Sequence, residues 1–350
     1  RQGFERVYLL TDGLQGFRER CLKPVSLRTE PLSAHATARV YAWRAFFAGP
    51  APTATPGPLA AGPSAAGLPG PLPRAAETDE LQAALGAPGV KVVDLRPQPE
   101  YNTAHIPGAL GLNVESLRGN VGGVPSMLLP APLLAAQFSL LGLSPSDTVV
   151  LVARDKFHDA TLAGMAFERL GHPTYAVLNG GHTKWVREGR PVDAALPVVT
   201  PSDYPAGRGA DRFTADYRSV AAVIGTPDTV ILDVRPADFY AGRKSDEARA
   251  GHIPGAVNRP FAEDVVTSED KAVSFKPVEV LAAAYRQLIP STDTNVIVHC
   301  RTGHQASQTY FALTHLLGYT QVRWYDAGWT EWAARPELPV TDETRDAKQP

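Results

Sequence analysis

The chain contains one segment twice. Residues 92–113 and 231–260 both carry Asp-x-Arg-Pro, then an aromatic residue, then His-Ile-Pro-Gly-Ala. After each copy come a helical pattern, a β-rich run at 148–153 or 295–300, another helical pattern and a closing strand. Short β-rich runs that alternate with helical patterns are typical of a parallel sheet with helices on both of its faces. The repeat therefore predicts an α/β protein built from two domains of one fold.

The domain boundaries follow from the repeat and from changes in composition. We expect the first domain at residues 76–195 and the second at 212–340. Residues 1–25 match the closing strand of both copies in spacing, so we interpret them as the C-terminal tail of a third, upstream unit. Residues 26–75 are predicted to form a linker, because the stretch 50–73 has no charged residue and is rich in Pro, Ala and Gly.

Composition excludes several classes of function. The 34 basic and 36 acidic residues give a net charge of −2, which argues against a nucleic-acid partner. No apolar run approaches the roughly 18 residues that a membrane span requires. The two cysteines, Cys21 and Cys300, are too few for a disulfide framework or a four-cysteine zinc site, and we predict no metal site. Because the chain opens with Arg1, the compartment stays open between cytoplasm and periplasm.

Cys300 lies where a predicted strand ends and a helix begins. The loop that follows it consists of Arg301, Thr302, Gly303, His304 and Gln305. In parallel α/β folds, ligands bind at the carboxyl ends of the strands, and the free N–H groups of a helix N-terminus bind anions. The same groups lower the pKa of a cysteine and favour the nucleophilic thiolate. The alternative is a small buried apolar residue; the Arg and Gly that follow Cys300 favour the reactive thiolate.

The neighbouring residues suggest individual roles. Arg301 supplies a fixed charge and forked donors for an oxyanion, and Gly303 permits a tight backbone turn. Three roles stay open for His304, which either tunes the thiolate, contacts the substrate or begins the helix at the surface. Asp233 and Arg235 recur in the first copy, so we expect them to hold the strand end rather than to react.

The motifs together resemble a known family. Asp-x-Arg-Pro with Gly-His-Ile-Pro-Gly-Ala, the Cys-Arg-Thr-Gly-His-Gln loop and the closing Tyr-Asp-Ala-Gly-Trp are similar to those of rhodanese-type sulfurtransferases, especially the tandem-domain thiosulfate and 3-mercaptopyruvate sulfurtransferases. The resemblance implies tandem rhodanese-like domains and a persulfide on Cys300, without metal or organic cofactor. It also implies that residues 301–305 bind a small-molecule sulfur donor, and that cyanide, a thiol or a protein accepts the sulfur.

Two comparisons refine the expected site. A cysteine phosphatase loop places an Arg six residues after its Cys to clamp phosphate, whereas this chain has Ala306 there, which disfavours phosphate or arsenate chemistry. Aligning the two copies on Ala160 and Ala306 sets Arg154 opposite Cys300. The first domain is therefore expected to lack the nucleophile and to act as a non-catalytic partner.

The sequence leaves the sulfur donor open. Thiosulfate enzymes of the family often carry Cys-Arg-Lys-Gly, and this chain keeps Arg301 but has Thr302 in place of the Lys. Arg243 and Arg249, in an insertion of the second copy, are candidates for a further cation in the pocket. We favour thiosulfate, with 3-mercaptopyruvate or a sulfur-carrying or redox-sensing module without turnover as alternatives. Cys21 is interpreted as a bystander thiol rather than a resolving partner.

Overall fold

The computed structural model describes residues 72–207 and 211–346. The predictions for the tail at 1–25, for Cys21 and for the linker up to residue 71 lie outside the described residues. Within the described part of the chain, every helix is too short or too polar to span a membrane.

The chain divides into two compact units. The described residues of the smaller unit are 132–144 and 198–206, and the rest of the described chain belongs to the larger unit. In the smaller unit the ring centroids of Phe138 and Tyr204 lie 5.2 Å apart in an edge-on arrangement. The Tyr204 N–H donates to Ser139 Oγ over 2.9 Å. An aromatic contact and a buried hydrogen bond thus join its two segments.

The larger unit contains two parallel sheets. The first has the spatial order β1 (Ala75–Ala76), β7 (Tyr175–Leu178), β6 (Thr148–Val152), β2 (Val90–Asp94), β3 (Leu110–Gly111). The second has the order β13 (Val322–Tyr325), β12 (Asn295–His299), β8 (Thr229–Asp233), β9 (Val257–Asn258). The central strands are rich in β-branched and apolar residues because they are covered on both faces. The predicted parallel α/β fold is confirmed.

Helices alternate with these strands along the chain. The first five are α1 (Thr78–Ala84), α2 (Gln98–Thr103), α3 (Ala131–Leu140), α4 (Phe157–Leu170) and α5 (Gly181–Arg187). The remaining helices are α6 (Tyr217–Ala221), α7 (Ala237–Tyr240), α8 (Val278–Tyr285), α9 (His304–Phe311), α10 (Gly328–Ala334) and α11 (Glu343–Asp346). Single turns of 3-10 helix lie at Val114–Leu117 and Phe261–Asp264, and α9 continues into a π-helical turn at Ala312–Leu316. Helix α4 ends at Leu170, and Gly171, with a φ of +65°, forms the left-handed cap that follows it.

Each domain of the larger unit extends an antiparallel hairpin to the other. The hairpins are β4–β5 (Arg118–Val121 and Val124–Leu128) and β10–β11 (Val265–Thr267 and Val273–Phe275). The N–H of Leu128 donates to Oδ2 of Asp326 over 2.8 Å, and the N–H of Phe275 donates to Oδ1 of Asn179 over 3.0 Å. Asp326 and Asn179 occupy the same position, directly after the closing strand of their domains. The two domains are thus joined by a reciprocal pair of hydrogen bonds.

The repeated Asp-x-Arg-Pro motif forms a buried ion pair in both domains. Arg96 donates from Nε and Nη2 to Asp94 over 3.0 and 2.7 Å. Arg235 donates in the same way to Asp233 over 3.0 and 2.6 Å, and its Nη2 also donates to the Gly251 carbonyl over 2.8 Å. The bidentate pair therefore ties each strand end to the turn that follows it.

Candidate active site

The loop after β12 places Cys300 at the carboxyl end of the second sheet. Cys300 directly follows His299, and α9 begins at His304. The thiol is free, and the residue is only 1% exposed. Gly303, at the N-cap of α9, has a φ of +73°, and a Cβ there would lie 2.5 Å from Asp326 Oδ1. The loop conformation therefore requires glycine at this position.

Two opposed effects act on the Cys300 thiol. Burial raises its pKa, and the backbone N–H groups of Ala306, Thr302 and Gln305 act in the opposite direction. The net shift is upward, so the expectation of a lowered thiol pKa is wrong for the free protein. The reason is that burial destabilises the thiolate more than the three amides stabilise it. The amides nevertheless converge on the sulfur and favour negative charge there.

A cavity of about 120 Å³ lies beside the loop. Its walls include Arg235, Phe239, Asp246, Glu247, Arg301 and Trp329. Gln305 also lines it, so two members of the predicted substrate-binding loop contribute to the wall. The Arg235 guanidinium lies 4.4 Å from the Trp329 ring centroid while it remains paired with Asp233. The ion pair predicted to support the site therefore also holds one wall of the cavity.

An acidic residue balances the positive charge of the loop. Arg301 is half exposed, and its Nη1 lies 3.3 Å from Oε1 of Glu247, in the insertion that follows α7. Arg243 forms an exposed ion pair with an aspartate, and Arg249 donates to four main-chain carbonyls around the C-terminus of α10. The prediction that Arg243 or Arg249 supplies a second cation is wrong, because both guanidinium groups are engaged outside the cavity.

His304 lies at the interface with the first domain. Its Nε2 is 2.8 Å from Oδ1 of Asp159, in α4, and its Nδ1 is 3.5 Å from Nη1 of Arg118. Arg118 also donates to the Thr302 carbonyl over 2.8 Å. Of the three roles left open by the sequence, the structure thus favours neither substrate contact nor a free surface position. The first domain instead holds two residues of the Cys300 loop.

Three side chains at this interface have the spacing of metal ligands. The ligand atoms of His158, Asp159 and His304 lie within 4.8 Å of one another. Burial, with a contribution from His304, lowers the pKa of His158 to about 4, so its imidazole is neutral at pH 7. His304 Nε2 lies 2.8 Å from Asp159 Oδ1 but has no hydrogen-bond partner among the described residues. The His158 and His304 rings meet edge to face, with their centroids 4.7 Å apart, so the cluster joins α4 of the first domain to the start of α9 in the second.

Asp326 lies beneath the loop and is 1% exposed. Its Oδ2 accepts the N–H of Leu128, while its Oδ1 has no hydrogen-bond partner among the described residues. Burial raises the pKa of this carboxyl to about 7, against the lowering effects of Leu128, Arg169 and Arg118. Asp326 is therefore partly protonated near neutral pH.

The corresponding loop of the first domain keeps the backbone plan without the nucleophile. Ala153 follows β6 as Cys300 follows β12. The N–H of His182 donates to the Ala153 carbonyl, and the N–H of Trp329 donates to the Cys300 carbonyl, both over 2.9 Å. Ala153, and not Arg154, is therefore the counterpart of Cys300. The sequence alignment was wrong by one residue because it matched the helices, whereas the strand ends fix the register.

Sequence reasoning missed several contributors to this site. Asp246 and Glu247 come from the insertion, whose presence in only the second copy was the signal that could have revealed them. Arg118 and Asp159 come from the first domain, where no motif distinguishes them from surface residues. Contacts between domains of this kind are set by packing and leave no local pattern.

Comparisons with known proteins agree on one family. Residues 77–188 and 217–335 match the model of the rhodanese-like domain. A thiosulfate sulfurtransferase of Azotobacter vinelandii is 31% identical over 77% of this chain and 97% of that protein. The sulfur carrier protein TtuD of Thermus thermophilus is 32% identical over 75% of this chain and 94% of that protein. The crystal structure of an anaerobic ergothioneine biosynthesis enzyme from Chlorobium limicola, in complex with trimethyl histidine, has a TM-score of 0.67 at 21% identity, covering 77% of this chain and 70% of that one. This last similarity concerns the fold alone.

Proposed function

Since this chain belongs to the rhodanese-like family, we propose that it is a sulfurtransferase that carries a sulfane sulfur on Cys300, from thiosulfate to a thiol or cyanide. The observation that carries the proposal is the free Cys300 thiol at the end of β12, with three loop amides converging on its sulfur. The names of the relatives, thiosulfate sulfurtransferase and sulfur carrier protein, support the same class of reaction.

The proposed reaction has two displacements at one sulfur atom. Cys300 loses its proton to solvent and its thiolate attacks the outer sulfur of thiosulfate; the S–S bond of thiosulfate breaks and sulfite leaves with the electron pair. The acceptor then attacks the outer sulfur of the persulfide, and Cys300 leaves as a thiolate. The amides of Thr302, Gln305 and Ala306 stabilise the anionic persulfide, and Arg301 orients the donor oxyanion. The reaction needs no metal or organic cofactor.

One observation favours a second donor. Glu247 lies 3.3 Å from Arg301 and reduces the positive charge offered to a dianion. A donor of lower charge, such as 3-mercaptopyruvate, would meet less repulsion from this carboxylate. The same Cys300 persulfide would then form, with pyruvate as the departing product.

Intact mass spectrometry tests the proposal directly. The purified protein is incubated with thiosulfate, or in parallel with 3-mercaptopyruvate, and cyanide is added last. A gain of about 32 Da that maps to Cys300 and is removed by cyanide is the expected result. The donor that gives the faster gain is the preferred substrate. If neither donor adds mass, turnover at Cys300 is refuted, and a binding or sensing module becomes the better hypothesis.

A further inference from the structure

The second domain has an insertion in the turn that follows its Asp-x-Arg-Pro motif. His105 is the fourth residue after Tyr101 in the first domain, whereas His252 is the twelfth residue after Tyr240 in the second. The two histidines are equivalent, since each ring lies stacked on the tyrosine of its own domain. The additional residues lie within 241–251 and lead to the cavity beside the Cys300 loop.

The insertion is held in a defined conformation. Arg249 donates to the carbonyls of Trp332, Ala333, Arg335 and Leu338. The Trp329 indole N–H donates to the Arg249 carbonyl over 3.1 Å, and Ser245 Oγ donates to the same carbonyl over 3.1 Å. These contacts anchor the segment on α10, so Asp246 and Glu247, which line the cavity, are presented to it from a fixed backbone.

The charges at the cavity leave an excess of acid. Arg235 is neutralised by buried Asp233. Arg301 is balanced by Glu247, which is only 16% exposed and also accepts from Thr330 Oγ1 over 2.6 Å. Asp246 lines the same cavity, and among the described residues no cation pairs with it. With both arginines matched, the carboxylate of Asp246 gives the cavity a preference for positive charge.

From this arrangement we propose that the cavity binds a sulfur acceptor that carries a protonated amino group, an aminothiol, with Asp246 and Glu247 as the residues that select it. The inference rests on the proposed function for the sulfur chemistry. The aminothiol loses its thiol proton to solvent and its thiolate attacks the outer persulfide sulfur. The bond between the two sulfurs breaks, Cys300 leaves as a thiolate, and the product is the aminothiol persulfide. Phe239 and Trp329 add aromatic walls that tolerate an organic cation.

The first test compares acceptors of matched length and different charge. In a Cys21→Ser background, the persulfide is formed with thiosulfate, and loss of the added sulfur is timed by mass spectrometry. The acceptors are cysteamine, 2-mercaptoethanol and 3-mercaptopropionate, with rates normalised to the thiolate concentration of each. We expect cysteamine to react about fivefold faster than 2-mercaptoethanol, the scale of one exposed charge pair, and 3-mercaptopropionate to react most slowly. Equal normalised rates would overturn the inference.

Variants identify the residues responsible. Asp246→Asn should reduce the preference for cysteamine to about twofold, and Glu247→Gln should reduce it further while freeing Arg301. The matched control is Asp238→Asn, since Asp238 is exposed, pairs with Arg243 and Lys244, and does not line the cavity. The control should retain the full preference. A loss of equal size in Asp238→Asn would show a general charge effect and refute the assignment.

A second probe needs no persulfide. Aminoethyl and sulfonatoethyl methanethiosulfonate modify the Cys300 thiol itself, by displacement of methanesulfinate, and differ in charge. The cationic reagent should react faster, relative to a free thiol in solution, and Asp246→Asn should reduce the difference. If no donor forms a persulfide but this preference persists, the proposed function fails and the cation site stands. If the persulfide forms but neither test shows a charge preference, the cation site fails alone.

Discussion

The loops after β6 and β12 follow a similar backbone course, but only the second carries a cysteine at the strand end. Both leave the carboxyl end of a parallel sheet, both feed a helix, and the carbonyls of Ala153 and Cys300 accept equivalent hydrogen bonds. Two of their differences matter here: Ala153 stands at the position of Cys300, and Lys156, with a φ of −91°, stands at the position of Gly303, with a φ of +73°. The proposed nucleophile, Cys300, is therefore distinguished by the backbone conformation of its loop as well as by its sulfur atom.

The first domain has no cysteine in its loop after β6, but its side chains and its hairpin contact the Cys300 loop of the second domain. Arg118 and Asp159 hold Thr302 and His304 of the other domain's loop, and Leu128 binds Asp326 beneath it. The comparison teaches that a domain with alanine at the position of the cysteine can still shape the site, because its side chains and its hairpin fix the Cys300 loop of the other domain.

Replacing the nucleophile should give the largest effect. We expect Cys300→Ser to reduce sulfur transfer by about a thousandfold or more, because a serine hydroxyl cannot form the persulfide. Ala153→Cys in the same protein should not restore transfer, since its loop lacks the left-handed glycine. Sulfite release from thiosulfate measures both variants, and thermal unfolding checks that the fold is retained. Activity in the serine variant would rule out Cys300 as the sulfur carrier.

Gly303→Ala should give the next largest effect, and it tests whether the two loops need different backbone conformations. The new Cβ would lie 2.5 Å from Asp326 Oδ1 and 2.7 Å from the Asp326 carbonyl oxygen. We expect a loss of about 2–4 kcal/mol in the free energy of unfolding, together with loss of persulfide formation. Lys156→Ala, at the exposed counterpart position, should change stability by less than about 0.5 kcal/mol. Urea unfolding compares the two; similar losses would show that the loop conformations impose no different requirement.

Asp326→Asn should reveal a pH dependence of stability that has no counterpart at Asn179, the equivalent position of the first domain. The pKa of Asp326 is raised from 3.8 to about 7, so its contribution to stability is full below about pH 4 and is lost as the pH rises toward 7. Relative to the variant, the natural protein should lose about 2–3 kcal/mol of unfolding free energy between pH 5 and pH 8. Urea unfolding at both pH values measures this. Asn179→Asp should create a second dependence of the same sign; parallel curves for all three proteins would refute the assignment.

Apart from the control substitutions, Arg118→Ala should have the smallest effect. Arg118 is buried and donates to the Thr302 carbonyl over 2.8 Å, so we expect about a tenfold loss in kcat, the value of one charged hydrogen bond. The control is Arg154→Ala, which removes a half-exposed ion pair with Glu100 and should leave kcat within about twofold. Steady-state kinetics distinguishes them, and equal losses would mean that Arg118 has no specific action on the loop.

The sequence predicted the parts of the site that local patterns encode. The strand before Cys300, the turn at Gly303 and the duplicated Asp-x-Arg-Pro motif are each legible in a few consecutive residues, because backbone geometry determines them. The direction of the Cys300 pKa shift could not be predicted from the sequence, because it depends on the burial of the thiol by distant segments. The pairing of Arg301 with Glu247 brings together residues 54 positions apart, and the contact of Arg118 with Thr302 spans 184. Such contacts belong to the assembled fold.

The reciprocal hydrogen bonds from Leu128 to Asp326 and from Phe275 to Asn179 also bear on how this protein can be divided. If the domains were separated, Asp326 Oδ2 and Asn179 Oδ1 would each lose the backbone N–H that donates to it from the other domain. For protein engineering, the half that carries Cys300 is therefore a poor module to transplant by itself. The smallest portable piece is the pair of domains, because the hairpin of each domain donates a hydrogen bond to a side chain that follows the closing strand of the other.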